Sequence, residues 1–143
     1  MEPLADSWAE LVAALSIHRE TADKFDGALW SPVVPTDAGP RKRCNAAVAA
    51  VSAVVFDVDD GTPVEAFTAP LPGEWIAYST WNHTAEVPRF HVVTRLQDPI
   101  PATEWRKEYE RLHGNRADWL PAVSHAYFLP EHAPGSPWFV VHS

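Results

Sequence analysis

Val54-Val55-Phe56-Asp57-Val58-Asp59-Asp60-Gly61 is the stretch on which the reading of this chain turns. Three β-branched or aromatic residues run into acids and then into Gly61-Thr62-Pro63. That composition predicts a buried strand ending at a turn. Side chains alternate faces along a strand, so Asp57 and Asp59 point the same way, with Cα atoms roughly 6–7 Å apart. Two carboxylates on one face repel each other unless a cation lies between them, and hard oxygen ligands suit Mg²⁺ or Mn²⁺ better than zinc. An ordinary strand followed by a solvated acidic turn has the same composition. Asp60 points away from the other two acids and is expected to start the turn.

Outward from that stretch, the composition narrows the field. The chain has 143 residues, 46% of them hydrophobic, with seven tryptophans, enough for one domain with its own core and too apolar for a disordered protein. No apolar run is long enough to span a membrane, and Met1-Glu2-Pro3-Leu4-Ala5-Asp6 lacks the features of a signal peptide. The single cysteine, Cys44, permits neither an internal disulfide nor a cysteine-based zinc module. Together these predict a cytoplasmic protein. The formal net charge of −8 argues against coating nucleic acid by bulk electrostatics. It leaves open an enzyme whose acids gather at metals and whose basic groups are local.

Ser7-Trp8-Ala9-Glu10 is a capping-box pattern and predicts an amphipathic helix over 7–17. Residues 18–50, broken by Ser31-Pro32, Val34-Pro35 and Gly39-Pro40, read as a loop-rich approach to the central strand. Within them Arg41-Lys42-Arg43 is the densest basic run, either a solvated surface or a phosphate contact. Residues 74–80 read as a second strand, followed by the polar loop Trp81-Asn82-His83-Thr84.

Residues 88–96 read as a third strand. Its alternation puts Phe90, Val92, Thr94 and Leu96 on one face and Arg89, His91, Val93 and Arg95 on the other. Two arginines and a histidine on one face suit either an anion-binding surface or a solvent-facing edge. Pro99 to Pro101 predicts a break, then a helix over 103–113 with Trp105, Tyr109 and Leu112 at helical spacing. His113-Gly114-Asn115 ends that helix. Residues 124–130 and 137–141 read as two more strands, so the expected class is α+β.

Several chemistries fail on their motifs. The aspartyl-nucleophile phosphatases carry Asp-x-Asp-Gly-Thr, but aligning Gly61-Thr62 with that motif places Val58 at the nucleophile, and aligning Asp57 places Asp60 at the glycine. Neither a P-loop nor a Gly-x-Ser-x-Gly elbow is present. His83 and His91 do not form the His-x-x-x-His helix of a zinc hydrolase. Two-metal phosphoryl chemistry fits better. It needs carboxylates around two cations about 3.5–4 Å apart and basic groups on the triphosphate.

A resemblance rests on an ordered series of motifs. Val54 to Asp59, Ser79-Thr80-Trp81-Asn82-His83-Thr84, Pro88-Arg89-Phe90-His91-Val92-Val93 and Ser124-His125-Ala126-Tyr127-Phe128-Leu129-Pro130 occur in that order. The series resembles the archaeo-eukaryotic primase superfamily, and more narrowly the primase–polymerase (prim-pol) domains of phage and plasmid replication proteins. It covers roughly residues 40–130. The resemblance implies a sheet like that of the RNA-recognition motif (RRM-like), mixed or antiparallel and flanked by helices. It also implies template-directed synthesis of primers or DNA from nucleoside triphosphates on a single-stranded DNA template, with Mg²⁺ or Mn²⁺ in a two-metal site.

By the same resemblance Asp57, Asp59 and Asp118 are metal ligands. The family's Ser-x-His, which contacts the triphosphate, falls on Arg89-Phe90-His91, with Arg89 in place of the serine and His83 as the rival histidine. Asp57, Asp59 and His91 are then the expected catalytic residues. Arg89, His91, Arg95, His83, Lys42 and His125 are the expected nucleotide contacts, and Trp81 is placed to stack on a template base or ribose. The chain is expected to be the N-terminal domain of a longer replication protein in a bacterial host cell, with a helicase fused C-terminally or separate. Two other readings stay open: a non-catalytic or origin-binding module with the same fold, favoured by the missing serine, and a metal-dependent nuclease using the same acids.

Overall fold

The computed structural model of the chain describes residues 7–24, 27–35, 48–113 and 125–143. Its centre is β4 (Val48–Val58), an eleven-residue strand that runs through the quoted stretch and ends just before Asp59. Two flanking strands pair with it, β3 (Val33–Pro35) and β6 (Phe90–Pro101). Next to β6 lies β5 (Trp75–Ser79), and β9 (Val140–His142) closes the far edge. The order is β3-β4-β6-β5-β9, and every neighbouring pair is antiparallel. Two short ladders lie outside this sheet. β1 (Arg19–Glu20) pairs in parallel with β8 (Glu131–His132), and β2 (Leu29–Trp30) pairs antiparallel with β7 (Tyr127–Phe128).

Both faces of the sheet are covered, which explains why β4 is apolar almost throughout. On one face Val54, Phe56, Val58, Ala77, Phe90 and Val92 pack with Phe67, Trp105 and Tyr109. These come from α2 (Val64–Thr68) and α3 (Trp105–His113). Thr94 shares this face and satisfies its hydroxyl by donating to the Val54 carbonyl, 2.9 Å away. On the other face Ala53, Val55, Ile76, Tyr78 and Val93 pack with Leu15, Trp30 and Tyr127. Leu15 ends α1 (Trp8–Leu15), while Trp30 and Tyr127 belong to the β2–β7 ribbon. Asp57 and His91 lie on this second face, directly opposite each other across β4 and β6.

The fold is α+β, with an antiparallel sheet and few helices, as the element pattern predicts. Ser7 caps α1 by accepting the Glu10 N–H, the contact the capping-box pattern anticipates. Asp60 starts the turn: its carboxylate accepts from the Thr62 N–H and hydroxyl, and Gly61 takes φ +86.

Four features differ from, or were left open by, the sequence reading. First, β6 does not stop at Pro99; it continues to Pro101, and its register against β4 slips between Val51 and Ala53. A proline removes one ladder donor, and the sheet absorbs it as an irregularity. Second, β6 is a central strand with Phe90 to Thr94 all buried, so its His91 face is not a solvent-facing edge. Third, only Tyr127–Phe128 of the strand expected over 124–130 pairs, and Ser124 lies outside the described residues. Fourth, α2 was not anticipated; five residues after Pro63 are too few to show a helical period. Among the described residues no helix is long and apolar enough to cross a membrane.

Candidate active-site cavity

On the sheet's second face, at the end of β4, the segment around β7 forms one wall of an opening. A cavity of about 330 Å³ lies there. β4 sends Asp57 and, just past its end, Asp59 into it; the start of β6 brings Arg89 and His91. The loop after β5 contributes Trp81, the segment around β7 contributes His125 and Tyr127, and Lys24 and Glu131 complete the charged lining. Strand alternation and the Asp57–His91 register put these side chains together, so the site follows from the β4–β6 pairing.

Asp57 is 31% exposed, with His91 Nε2 3.4 Å from its Oδ1. Burial alone raises its pKa. The hydrogen bond and charge of His91, with the fields of His125 and Lys24, outweigh that cost and hold the carboxyl below its ordinary value. On its other side His91 places Nδ1 3.0 Å from the Tyr78 hydroxyl. That hydroxyl oxygen also accepts from Trp30 Nε1, at 3.0 Å, and lies 3.3 Å from the Phe128 carbonyl. Burial pushes the phenols of both Tyr78 and Tyr127 above their ordinary range, so each remains a neutral hydroxyl. Tyr127 walls the site, its ring edge-on to His91 at 5.2 Å and to His125 at 4.7 Å.

Asp57, Asp59, His91, Arg89 and His125 thus line one cavity, and Trp81 joins them, its Nε1 donating to the Thr21 hydroxyl. Two expected contacts stand apart. Arg95 pairs with Glu74 across the strand and does not line the cavity. His83 is buried against Phe139 at 5.1 Å, and its Nδ1 accepts from the Arg89 N–H. Burial lowers the His83 pKa, and the ring ties down the loop that carries Trp81 and Arg89. His91, not His83, is the histidine beside the acids. Lys42 and Asp118 lie outside the described residues.

Lys24, Tyr78 and Glu131 are cavity residues that the motifs did not single out. Glu131 is 3% exposed and occupies space that only a glycine leaves: a Cβ on Gly27 would stand 1.8 Å from its Oε2. A lone lysine in a loop and an acid after Pro130 carry no periodic signal.

The donor set fits a hard divalent cation. An ionised Asp57 and an exposed Asp59 present carboxylate oxygens to the same space, beside the cations of Lys24 and Arg89. Among the described residues no three His, Cys, Asp or Glu side chains form a ready-made metal cluster. The remaining positions around Mg²⁺ or Mn²⁺ would fall to water and phosphate oxygens, in keeping with the reluctance of Mg²⁺ to lose its waters. Comparison with known proteins gave no match to any family model, curated protein or solved structure.

Proposed function

We propose that the chain is a template-directed nucleotidyltransferase, a primase–polymerase domain that joins nucleotides on single-stranded DNA with Mg²⁺ or Mn²⁺. One observation carries this reading: the two acids at the end of a central strand open into the same cavity as Lys24, Arg89 and His91. Carboxylates for cations beside bases for phosphates are the pairing that phosphoryl transfer needs. The antiparallel sheet with α2 and α3 on one face supports the α+β part of this reading.

On this reading Asp57, Asp59 and Asp118 would hold two cations, which would supply charge neutralisation at the triphosphate and activation of the 3′-hydroxyl. Asp57 stays ionised for the task because His91, His125 and Lys24 offset its burial. Arg89 and Lys24 hold phosphate oxygens by charge-assisted hydrogen bonds, and Trp81 offers a ring to a template base. The cytoplasm of a bacterial host, and a place ahead of a helicase in a longer replication protein, belong to the same proposal.

Labelled nucleotides, a single-stranded template and Mn²⁺ test it, with the native chain compared against Asp57→Ala/Asp59→Ala. The expected result is incorporation by the native chain that is lost in the double variant. Template binding without incorporation identifies a non-catalytic module, and template degradation a nuclease. Equal incorporation by both proteins removes the acids from the mechanism.

A further inference from the structure

Trp138 lies outside the cavity and, at 50% exposure, is the one aromatic among the large apolar side chains exposed in the described residues. Its indole stacks on His18 at 5.0 Å, with 25° between the planes, and on His132 at 5.4 Å, with 12°. Two rings on opposite faces of an indole would stand about twice that spacing apart. The His18 and His132 ring centres are 4.9 Å apart and their Nδ1 atoms 2.7 Å, so both imidazoles lie under the same face. The exposed half of the side chain is therefore its outer face. Among the described residues no other ring stacks on it.

The ring is also held in place. The Phe139 N–H donates to Ser79 Oγ at 2.9 Å, and the Ser79 N–H donates to the Phe139 carbonyl at 3.0 Å, which pins the segment carrying Trp138 to the end of β5. Beneath the indole, His18 Nε2 donates to the Ser79 carbonyl at 2.8 Å, and Ser79 itself lines the cavity. The His132 carbonyl accepts from the Thr21 N–H at 2.9 Å, and the Thr21 hydroxyl accepts from Trp81 Nε1 at 3.1 Å. Trp138 is thus a flat, fixed ring tied to the cavity wall through Ser79 and to Trp81 through Thr21.

We propose that Trp138 is a stacking platform for a base of the single-stranded DNA template where the strand lies outside the cavity, an inference that rests on the nucleotidyl-transfer reading. A chain with a formal net charge of −8 repels a polyanion in bulk, so its grip on a template must come from local groups. An aromatic face takes any base by its π surface, needs no charge and tolerates every sequence. A duplex keeps the faces of its bases stacked on one another, so the platform selects a single strand. Arg89 and Lys24 then meet phosphates inside the cavity, and Trp138 holds the strand beyond it.

The test is an anisotropy titration of a labelled single-stranded oligodeoxynucleotide with the native chain, Trp138→Leu and Trp138→Phe. Leucine keeps an apolar cover over the imidazoles and removes the flat π face, whereas phenylalanine keeps a face. Trp138→Leu should weaken binding by about 5- to 100-fold, and Trp138→Phe by much less. An abasic strand of the same length keeps the phosphates and lacks the rings, and the native chain and Trp138→Leu should bind it equally. On the native chain, which requires no variant to fold, the Trp138 Nε1–H resonance should shift with the oligonucleotide and stay in place with the matching duplex. No binding by the native chain, equal binding by the native chain and Trp138→Leu, or an unmoved Trp138 resonance overturns the platform. So does a Trp138→Leu deficit that persists on the abasic strand. A resonance that moves with protein concentration instead assigns the ring to a second copy of the chain and overturns the proposal. Trp138-dependent binding by a chain that incorporates no nucleotide overturns the reaction and leaves the platform standing. Incorporation with binding indifferent to Trp138 overturns the platform and leaves the reaction.

Discussion

Acid should loosen this fold through one histidine pair that the candidate cavity does not contain. His18 and His132 place their Nδ1 atoms 2.7 Å apart, with His18 Nε2 2.8 Å from the Ser79 carbonyl. Because a carbonyl only accepts, His18 Nε2 carries a proton, and His18 Nδ1 accepts the proton of His132 Nδ1. A further proton on His18 Nδ1 would set two N–H groups against each other. Trp138 stacks on both rings, at 5.0 and 5.4 Å, and His83 adds its field. Burial, with the fields of His132 and His83, lowers the His18 pKa from 6.5 to about 4, against an opposing hydrogen bond to Ser79.

The unfolded chain therefore binds a proton that the folded chain refuses. Stability is untouched above pH 6.5, falls as the pH drops towards 4, and then levels off. At about 1.4 kcal/mol per pH unit the loss is at most ~3 kcal/mol. The His18 ring is only partly buried, and solvent screening brings this to roughly 1–2 kcal/mol. With a urea dependence of about 1–3 kcal/mol per molar, the unfolding midpoint should fall by roughly 0.5–1 M between pH 7 and pH 4.5. Carboxylates titrate near this window too, so the quantity to measure is the difference from His18→Gln, whose amide still donates to Ser79. The native midpoint should fall by that much more than the variant's. Parallel curves for the two proteins would refute the shared-proton geometry.

Three further outcomes follow from the packing and the site. Phe56→Ala should cost about 3–5 kcal/mol in chemical denaturation, because the ring is 2% exposed and packs on Phe67 and Tyr109 at 5.6 and 4.6 Å. Gly27→Ala should cost about 1–3 kcal/mol by driving its Cβ into the Glu131 carboxylate, and Glu131→Ala in the same background should recover part of it. His91→Gln should let the Asp57 carboxyl, followed by ¹³C NMR, titrate at higher pH than in the native chain, since His91 supplies the largest effects that lower it.

Much of the site was legible because it follows from strand periodicity. Val54 to Asp59 alternates in a way that sends both acids to one face, and Phe90 to Thr94 alternates so that His91 shares a face with Val93. Periodicity says which residues share a face, but not what covers it. The cover over the His91 face comes from α1 near the N-terminus and from the β2–β7 ribbon, whose strands are about a hundred residues apart, so a buried face was open to reading as a surface. Elements of two or three residues, such as β1 and β8, are too short to show a period and exist because they pair with each other. His83 and His91 were indistinguishable by spacing. Cross-strand pairing puts His91 opposite Asp57, while a loop contact turns His83 to the Arg89 backbone. Tyr78 carries no motif of its own, and only its three polar neighbours reveal its place beside the site.

The proposed function requires Asp57 and Asp59 to form a cation site shared with a nucleoside triphosphate. Titration of free Mn²⁺ by electron paramagnetic resonance, with and without a nucleoside triphosphate, tests this most directly on the native chain and on Asp57→Asn/Asp59→Asn. The native chain should bind Mn²⁺, the triphosphate should tighten binding, and the double variant should lose both effects. Equal Mn²⁺ binding by the two proteins would contradict that requirement.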